Sequence, residues 1–429
     1  MRKTIRLLAA VSSYLSVAHQ ASAAGFQLRE NDAAENGEAF AGSASSANTP
    51  ATVFNNPAGM TQLQGVQVQL GSSLIVPSFV FHGSSTNALG LPNSGVDDRD
   101  GGNIGAVPFG FVSYQLTPNL SAGLALTVPF GLTTGYGPNF VGRYQADNTS
   151  LATYDINPAI AWKVTDWLSL GAGLSAQYAD AQFSNFLNSS ALGFAALHRL
   201  VPLPDGYFNL KGDSWSWGYN FGALIKPGPQ TNIGLSYRSR VQHDLSGQAT
   251  FNLPPPLSAS PQFANSSGSA KLVLPDTVTL GITQGIGPNW TVSAEVQWTD
   301  WSQFRTLNVF RSNGAPIGST PEHYHNSPFV ALGATYQVNP NLVLRVGTAF
   351  DKTPVSNVYR TARIPDQDRY WLSVGASYQI RSGLFLDAAY THLFIPDAKI
   401  YEASVTGDVL TGHYANSVDV ISLGTRLRF

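Results

Sequence analysis

The chain has no cysteine and little charge, with only 12% of its 429 residues being Asp, Glu, Lys or Arg. Without cysteine there is no disulfide framework and no thiolate chemistry. A formal net charge of −2 leaves no basic footprint, which excludes a nucleic-acid binder. Beyond the amino terminus no stretch of about 18 apolar residues occurs, so no membrane-spanning helix is expected. The eight histidines form no His-x-x-x-His pair, and no Gly-x-Ser-x-Gly elbow is present. No metal site, cofactor or enzymatic activity is therefore expected.

What is present begins with a leader. Arg2, Lys3 and Arg6 form a positive region, Leu7 to Val17 is a short and mostly apolar stretch, and Ala21-Ser22-Ala23 is a small-x-small cleavage site. Residues 1–23 read as a secretory signal peptide, too short to span a membrane. Its removal takes three positive charges with it and leaves a net charge of −5.

The rest of the chain alternates. Leu120, Ala122, Leu124, Leu126 and Val128 interleave with Ser121, Gly123, Ala125 and Thr127. Trp290, Val292, Val296 and Trp298 oppose Thr291, Ser293, Glu295 and Gln297, and Leu384, Leu386 and Tyr390 oppose Asp387 and Thr391. Such a period of two marks a strand with one apolar and one polar face. A soluble sandwich alternates as well, but its water-facing residues tend to be richly charged. Here the polar face is mostly Gly, Ser, Ala, Thr, Asn and Gln, which suits a barrel interior, while aromatics sit near strand ends as an interfacial girdle requires. The last strand alternates to the terminal Phe429, as bacterial outer-membrane barrels typically close. Short turns such as Thr117-Pro118-Asn119, Gly287-Pro288-Asn289 and Asn339-Pro340-Asn341 alternate with long Gly/Pro/Ser/Asn-rich loops. Counting ladders over 62–429 predicts a transmembrane antiparallel β-barrel of about fourteen strands, an even number. Residues 24–61 lack the alternation and are rich in small residues. They are expected to form a plug, or hatch, inside the lumen of a barrel this wide.

Ordered motifs then resemble a known family. They are Ala24-Gly25-Phe26-Gln27-Leu28, Asn55-Asn56-Pro57-Ala58-Gly59-Met60, Gly212-Asp213-Ser214-Trp215-Ser216-Trp217-Gly218-Tyr219-Asn220, Leu235-Ser236-Tyr237-Arg238-Ser239, Trp301-Ser302-Gln303-Phe304 and Ile364-Pro365-Asp366-Gln367-Asp368-Arg369-Tyr370-Trp371-Leu372-Ser373. Together they resemble the long-chain fatty acid transporters of the bacterial outer membrane, the FadL family. The resemblance covers the whole mature chain. It implies capture of a long-chain fatty acid or similar hydrophobic molecule at extracellular loops and transfer to a pocket in the barrel. It then implies sideways exit through a kink in the third strand into the membrane. An uptake channel for uncharged alkanes or monoaromatics is the alternative, and a general porin a weaker one. Expected partners are the hydrophobic ligand, outer-membrane lipid and lipopolysaccharide, and the barrel assembly machinery; a monomer is expected.

Particular residues carry these expectations. Pro129-Phe130-Gly131 puts a residue without an N–H and a bend-permitting glycine where a strand should pair on both sides. Alone, this reads as a strand ending in a loop; with the resemblance it reads as the lateral opening. Asn56, Pro57 and Ala58 are implied to be hatch residues facing that opening, and Phe26 to insert into the pocket. The best-known family member has basic residues in its inner pocket, and the corresponding positions fall near Asn185 and Thr320, which are neutral. Either another base such as Arg143 meets a carboxylate or the ligand is uncharged. Arg363, Asp366, Asp368 and Arg369 read first as an ion network in the lumen and second as a ligand site.

Overall fold

The computed structural model describes residues 25–197 and 201–429; the expected leader, 1–23, lies outside the described residues. Nineteen strand segments follow one another: β1 (Val66–Thr86), β2 (Gly105–Thr117), β3 (Leu120–Thr127), β4 (Gly131–Gly135), β5 (Asn148–Lys163), β6 (Leu168–Leu187), β7 (Gly206–Gly228), β8 (Thr231–Arg238), β9 (Val241–Asn252), β10 (Ser266–Leu274), β11 (Thr277–Ile286), β12 (Trp290–Thr299), β13 (Thr306–Arg311), β14 (Pro316–Pro321), β15 (Ser327–Asn339), β16 (Leu342–Asp351), β17 (Arg369–Arg381), β18 (Leu384–Ala403) and β19 (Val409–Arg428). The pairs β3/β4, β8/β9, β10/β11, β12/β13 and β14/β15 are each two pieces of one stave, which gives a fourteen-strand antiparallel barrel. It closes by pairing β1 with β19, from Gln67↔Arg428 to Thr86↔Val409.

The two faces are inverted relative to a soluble sheet. Leu70, Leu124, Leu126, Ile160, Leu174, Val296, Leu386 and Leu423 are exposed, whereas Ser73, Ser121, Asn157, Ser175, Ser293, Glu295 and Ser422 are buried. Apolar side chains meet lipid outside and small polar ones fill the inside, as a transmembrane barrel demands. Trp290 and Trp298 stand exposed near the two ends of β12. They are separated by about 27 Å of strand, which matches the apolar band. Several staves run further than alternation alone indicates: β7 starts at Gly206, and β9, β10, β13 and β14 rise as a collar on the long-loop side. Above the lipid the faces exchange character, with Leu210, Leu245, Ala249 and Ala270 buried inside and Ser246, Gln248, Ser267 and Ser269 turned outward, so the apolar-out signal of the lipid band ends although the ladder continues.

From Gly25 to Gln64 only Asn48 and Gln64 are exposed. This segment lies within the barrel. Asn36 contacts Ser422 and Thr391, Glu38 pairs with Arg345, the Ala44 amide donates to Glu295, and Asn56 donates to Ala223 O. Local capping builds it from short pieces. Asp32 accepts from the amides of Ala34 and Glu35 to start the turn Ala33–Asn36, and Asn56 accepts from Ala58 to start the 3-10 helix Pro57–Gln62. Pro57 at the first helical position loses no hydrogen bond there. The segment fits because the wall recedes where it presses hardest: a Cβ on Gly222 would overlap Asn56 Oδ1, and one on Gly234 would overlap Ala44 O.

Candidate functional site: a broken strand and an aromatic box

Between β3 and β4 the residues Val128, Pro129 and Phe130 leave the wall's ladder. The β2–β3 register runs only from Thr117↔Leu120 to Gly110↔Leu126. Gly105 to Phe109 of β2 keep their β1 partners but find no β4 strand on the other side. The amino-terminal segment takes the vacant edge. Gln27 bridges Phe130, the Leu28 amide donates to Pro129 O at 2.8 Å, and the Gly131 amide donates to Phe26 O at 2.9 Å. On the far edge Thr153 holds Phe130 twice: its amide donates to Phe130 O at 3.0 Å, and its Oγ1 accepts from the Phe130 amide at 2.9 Å. The kink is therefore stable as it stands, since buried backbone groups must find partners and Pro129 has no N–H to lose.

Phe26 is 1% exposed and fills a box of rings. Its centroid lies 4.7 Å from that of Trp301, 5.5 Å from Phe304, 6.2 Å from Phe130 and 6.4 Å from Tyr324. Edge-to-face pairs at such spacings are favourable beyond their buried area. Leu132, Leu151, Val241, Leu272, Leu274 and Ile364 extend the same apolar cluster. Beside the kink is a narrow polar cavity of about 70 Å³, lined in part by Gln27, Phe130, Asp155, Gln177, Arg238 and Gln297. Arg238 lies 3.6 Å over the Phe54 ring and donates to Phe54 O, which ties a lumen cation to the amino-terminal segment.

The four residues read as one network separate into two groups. Asp366 pairs with the Arg369 guanidinium and accepts from the Gly25 amide at 2.8 Å, while Asp368 accepts from the Thr353 amide and lies 3.9 Å from Lys352 Nζ. Arg363 points elsewhere. It donates to Asn185 Oδ1 at 2.9 Å and to Ser184 O at 3.0 Å, with its Cζ 5.3 Å from the Phe183 ring centroid. Asn185 thus does have a cation beside it, supplied by a loop distant in sequence. Arg143 is engaged by Asp205 at 2.8 Å and by the Tyr144 hydroxyl, and clamps two loops together. Thr320 sits half-buried on the β13–β14 hairpin opposite Leu307. Asn56, Pro57 and Ala58 lie against Gly222 of β7 and Gly171 of β6, whereas residues 26–28 are the ones that meet the kink.

Alternation gave no sign of three participants. Thr153 looks like any inward threonine, and Trp301 and Phe304 stood out only as part of a motif. Glu322 is buried in the loop before β15, and burial, then the charge of Glu402, pushes it up to about 8 against the opposing pull of Arg363. Burial likewise weakens the Arg363 cation, and Glu402 and Glu322 counter that effect. Among the described residues no group of His, Asp or Glu could hold a metal ion.

Comparison with known proteins agrees with this architecture. The chain is 28% identical to a long-chain fatty acid transport protein of Salmonella typhi, over 90% of this chain and 91% of that one. Its fold is similar to the crystal structure of a Pseudomonas aeruginosa FadL homologue, with a TM-score of 0.88, 27% identity, and coverage of 94% of this chain and 99% of the other. The Ralstonia pickettii toluene transporter TbuX shares the fold at a TM-score of 0.68 and 20% identity, covering 93% and 99% of the two chains. The sequence profile of the family described as outer membrane protein transport protein (OMPP1/FadL/TodX) matches residues 14–429, and this chain, a transport barrel of the outer membrane and not an enzyme, belongs to that family.

Proposed function

We propose that this barrel takes up long-chain fatty acids by diffusion, with the alkyl chain displacing Phe26 from its box and leaving sideways at Val128–Phe130. The observation that carries the reading is the continuity of the two places. Phe26 fills the box, and its own carbonyl accepts from Gly131 at the broken strand. A molecule that evicts Phe26 therefore acts on the residue whose backbone makes one of the two hydrogen bonds covering the gap in the wall. Residues 24–61 act in this reading as the hatch. Arg363 is the base offered to the carboxylate, beside Asn185 and at the edge of the apolar cluster that includes Ile364. Its presence favours a fatty acid over a hydrocarbon, for which a buried cation would be a cost without return. Arg143, held by Asp205, is left to loop structure. The barrel works as a monomer inserted by the barrel assembly machinery among lipopolysaccharide.

Uptake of labelled palmitate by cells that lack their own transporter tests the reading. The wild-type chain should restore uptake, and Arg363→Met should lower it for palmitate while sparing a neutral alkane of equal length. Equal loss for both compounds, or no loss for either, would refute the fatty acid assignment. Large steady single-channel currents from the wild type would favour a porin instead.

A further inference from the structure

The wall has a second break, on staves well separated from the kink. The β11–β12 ladder runs from Ile286↔Trp290 up to Thr277↔Thr299, and the Asp300 amide still donates to Asp276 O at 2.9 Å. Above this the two staves part. They rejoin only where Gly268, Ser269 and Ala270 pair with Arg311, Phe310 and Val309. Between these points Lys271 to Leu274 keep their β9 partners on one side but have no strand on the other. The opposite stave turns away through the 3-10 turn Trp301–Gln303.

A groove of about 730 Å³ occupies this gap. It is lined by residues from both faces of the same strands. Val273 and Ser269 point outward, while Leu245 and Ala270 are buried lumen-side residues. The groove thus reaches from the outer face down to buried side chains at the gap. Its floor includes Phe304, whose ring is 5.5 Å from Phe26. The gap therefore leads from outside the barrel to the aromatic box through one side chain. Its height is set by Trp298 and Val278, the last exposed apolar pair of the two staves. The groove begins directly above them, at the interfacial edge of the lipid-facing band. Lys271 and Arg305 stand on its rim, with Asp244 opposite Lys271 in register.

We propose that this gap is a side port through which the alkyl chain of a single-chain amphiphile with an anionic head passes from the outer leaflet into the Phe26 box. The port rests on the uptake reading above and adds where the molecule is admitted. An amphiphile lying in the outer leaflet has its chain at the depth of Val278 and its head at the level of Lys271 and Arg305. Sliding inward past Val273 and Phe304 keeps the chain out of water throughout, and the two rim cations outweigh the one carboxylate.

Diazirine-bearing palmitate and the full-length protein in outer-membrane vesicles provide the test. Irradiation should attach the probe to peptides containing Val273 and Phe310 as well as to Trp301 in the box. Val273→Trp and Thr306→Trp should lower both the labelling of Trp301 and palmitate uptake several-fold. Since the chain lacks native cysteine, Val273→Cys can also be capped with a bulky maleimide after the barrel has inserted, which removes any doubt about folding, and capping should produce the same loss. Undiminished labelling of Trp301 and undiminished uptake in the capped variant would overturn the port while leaving transport intact. A wild-type protein that neither labels nor takes up palmitate would overturn the transport reading, and the port with it.

Discussion

The amide of Gly25 donates to Asp366 Oδ2 across 2.8 Å, so the first described residue of the chain is moored to the loop that precedes β17. The same carboxylate holds the Arg369 guanidinium, and both side chains are almost fully buried. Phe26 follows directly, so its place among the rings depends on an anchor 341 residues away in sequence.

Breaking the mooring should loosen Phe26 before it loosens the barrel. A hydrogen bond to a charged acceptor contributes about 1.5–3 kcal/mol, so Asp366→Ala should raise hydrogen exchange at the amides of Phe26 and Leu28 by roughly tenfold to a hundredfold. Amides of the β1–β19 ladder should stay protected. Exchange of Phe26 and Leu28 unchanged from wild type would mean that the rings alone hold the segment.

A side chain added where the wall recedes should unseat the amino-terminal segment from the lumen. Gly222→Val and Gly234→Val each place methyl groups where Asn56 or Ala44 now sits. Valine suits a strand, so the ladder itself should persist. Planar-bilayer recordings should show larger conductance than wild type with normal heat-modifiable migration. A conductance no larger than wild type would show that the lumen has another seal.

The Gln27–Phe130 bridge is a cross-strand pair flanked by the two backbone bonds Leu28 to Pro129 and Gly131 to Phe26. Opposed side chains at such a pair lie close enough for a disulfide. Gln27→Cys combined with Phe130→Cys should halt palmitate uptake under oxidation and release it on reduction. Full uptake with the crosslink demonstrably formed would rule out exit at the kink.

Carboxylate binding at the proposed Arg363 site should depend on pH through Glu322. With its value pushed up to about 8, it is mostly protonated at neutral pH and leaves the nearby Arg363 charge uncompensated by it. As pH rises through that value it ionises, draws on Arg363 and repels an incoming carboxylate. Affinity for a soluble medium-chain carboxylate should therefore fall as pH rises through 8, and Glu322→Gln should flatten the dependence. Titration calorimetry across that range measures it; an identical profile in the variant would disconnect Glu322 from the site.

The barrel was legible because lipid imposes a strict rule on every second residue. Leu170 and Leu174 face out and Ser169 and Ser175 face in, and one chain suffices to see it. The kink was only half legible: Pro129 breaks a local rule for a doubly paired strand, but alone it read as a strand end, and only the resemblance turned it into a break in the wall. Its cover was not legible, since the contact of Gln27 with Phe130 depends on where a non-periodic segment comes to rest. The cation beside Asn185 was hidden for a related reason. Arg363 comes from a loop 178 residues further along, and alternation carries no information about loops. The Asp300–Arg305 break left only a faint mark, because a 3-10 turn between two strand pieces looks like an ordinary loop.

Gly65 joins the hatch to β1 at a φ of +65°, and a Cβ there would strike the carbonyl of Phe429. The Phe429 amide donates to Val66 O at 2.9 Å, and the Gln115 amide donates to Gly65 O. The start of β1 and the end of β19 thus meet at one bare residue. The amino-terminal segment is joined to β1 through only Leu63, Gln64 and Gly65. The segment that fills the lumen and the β1–β19 seam are thereby coupled at Gly65, so a side chain placed there would press on both at once.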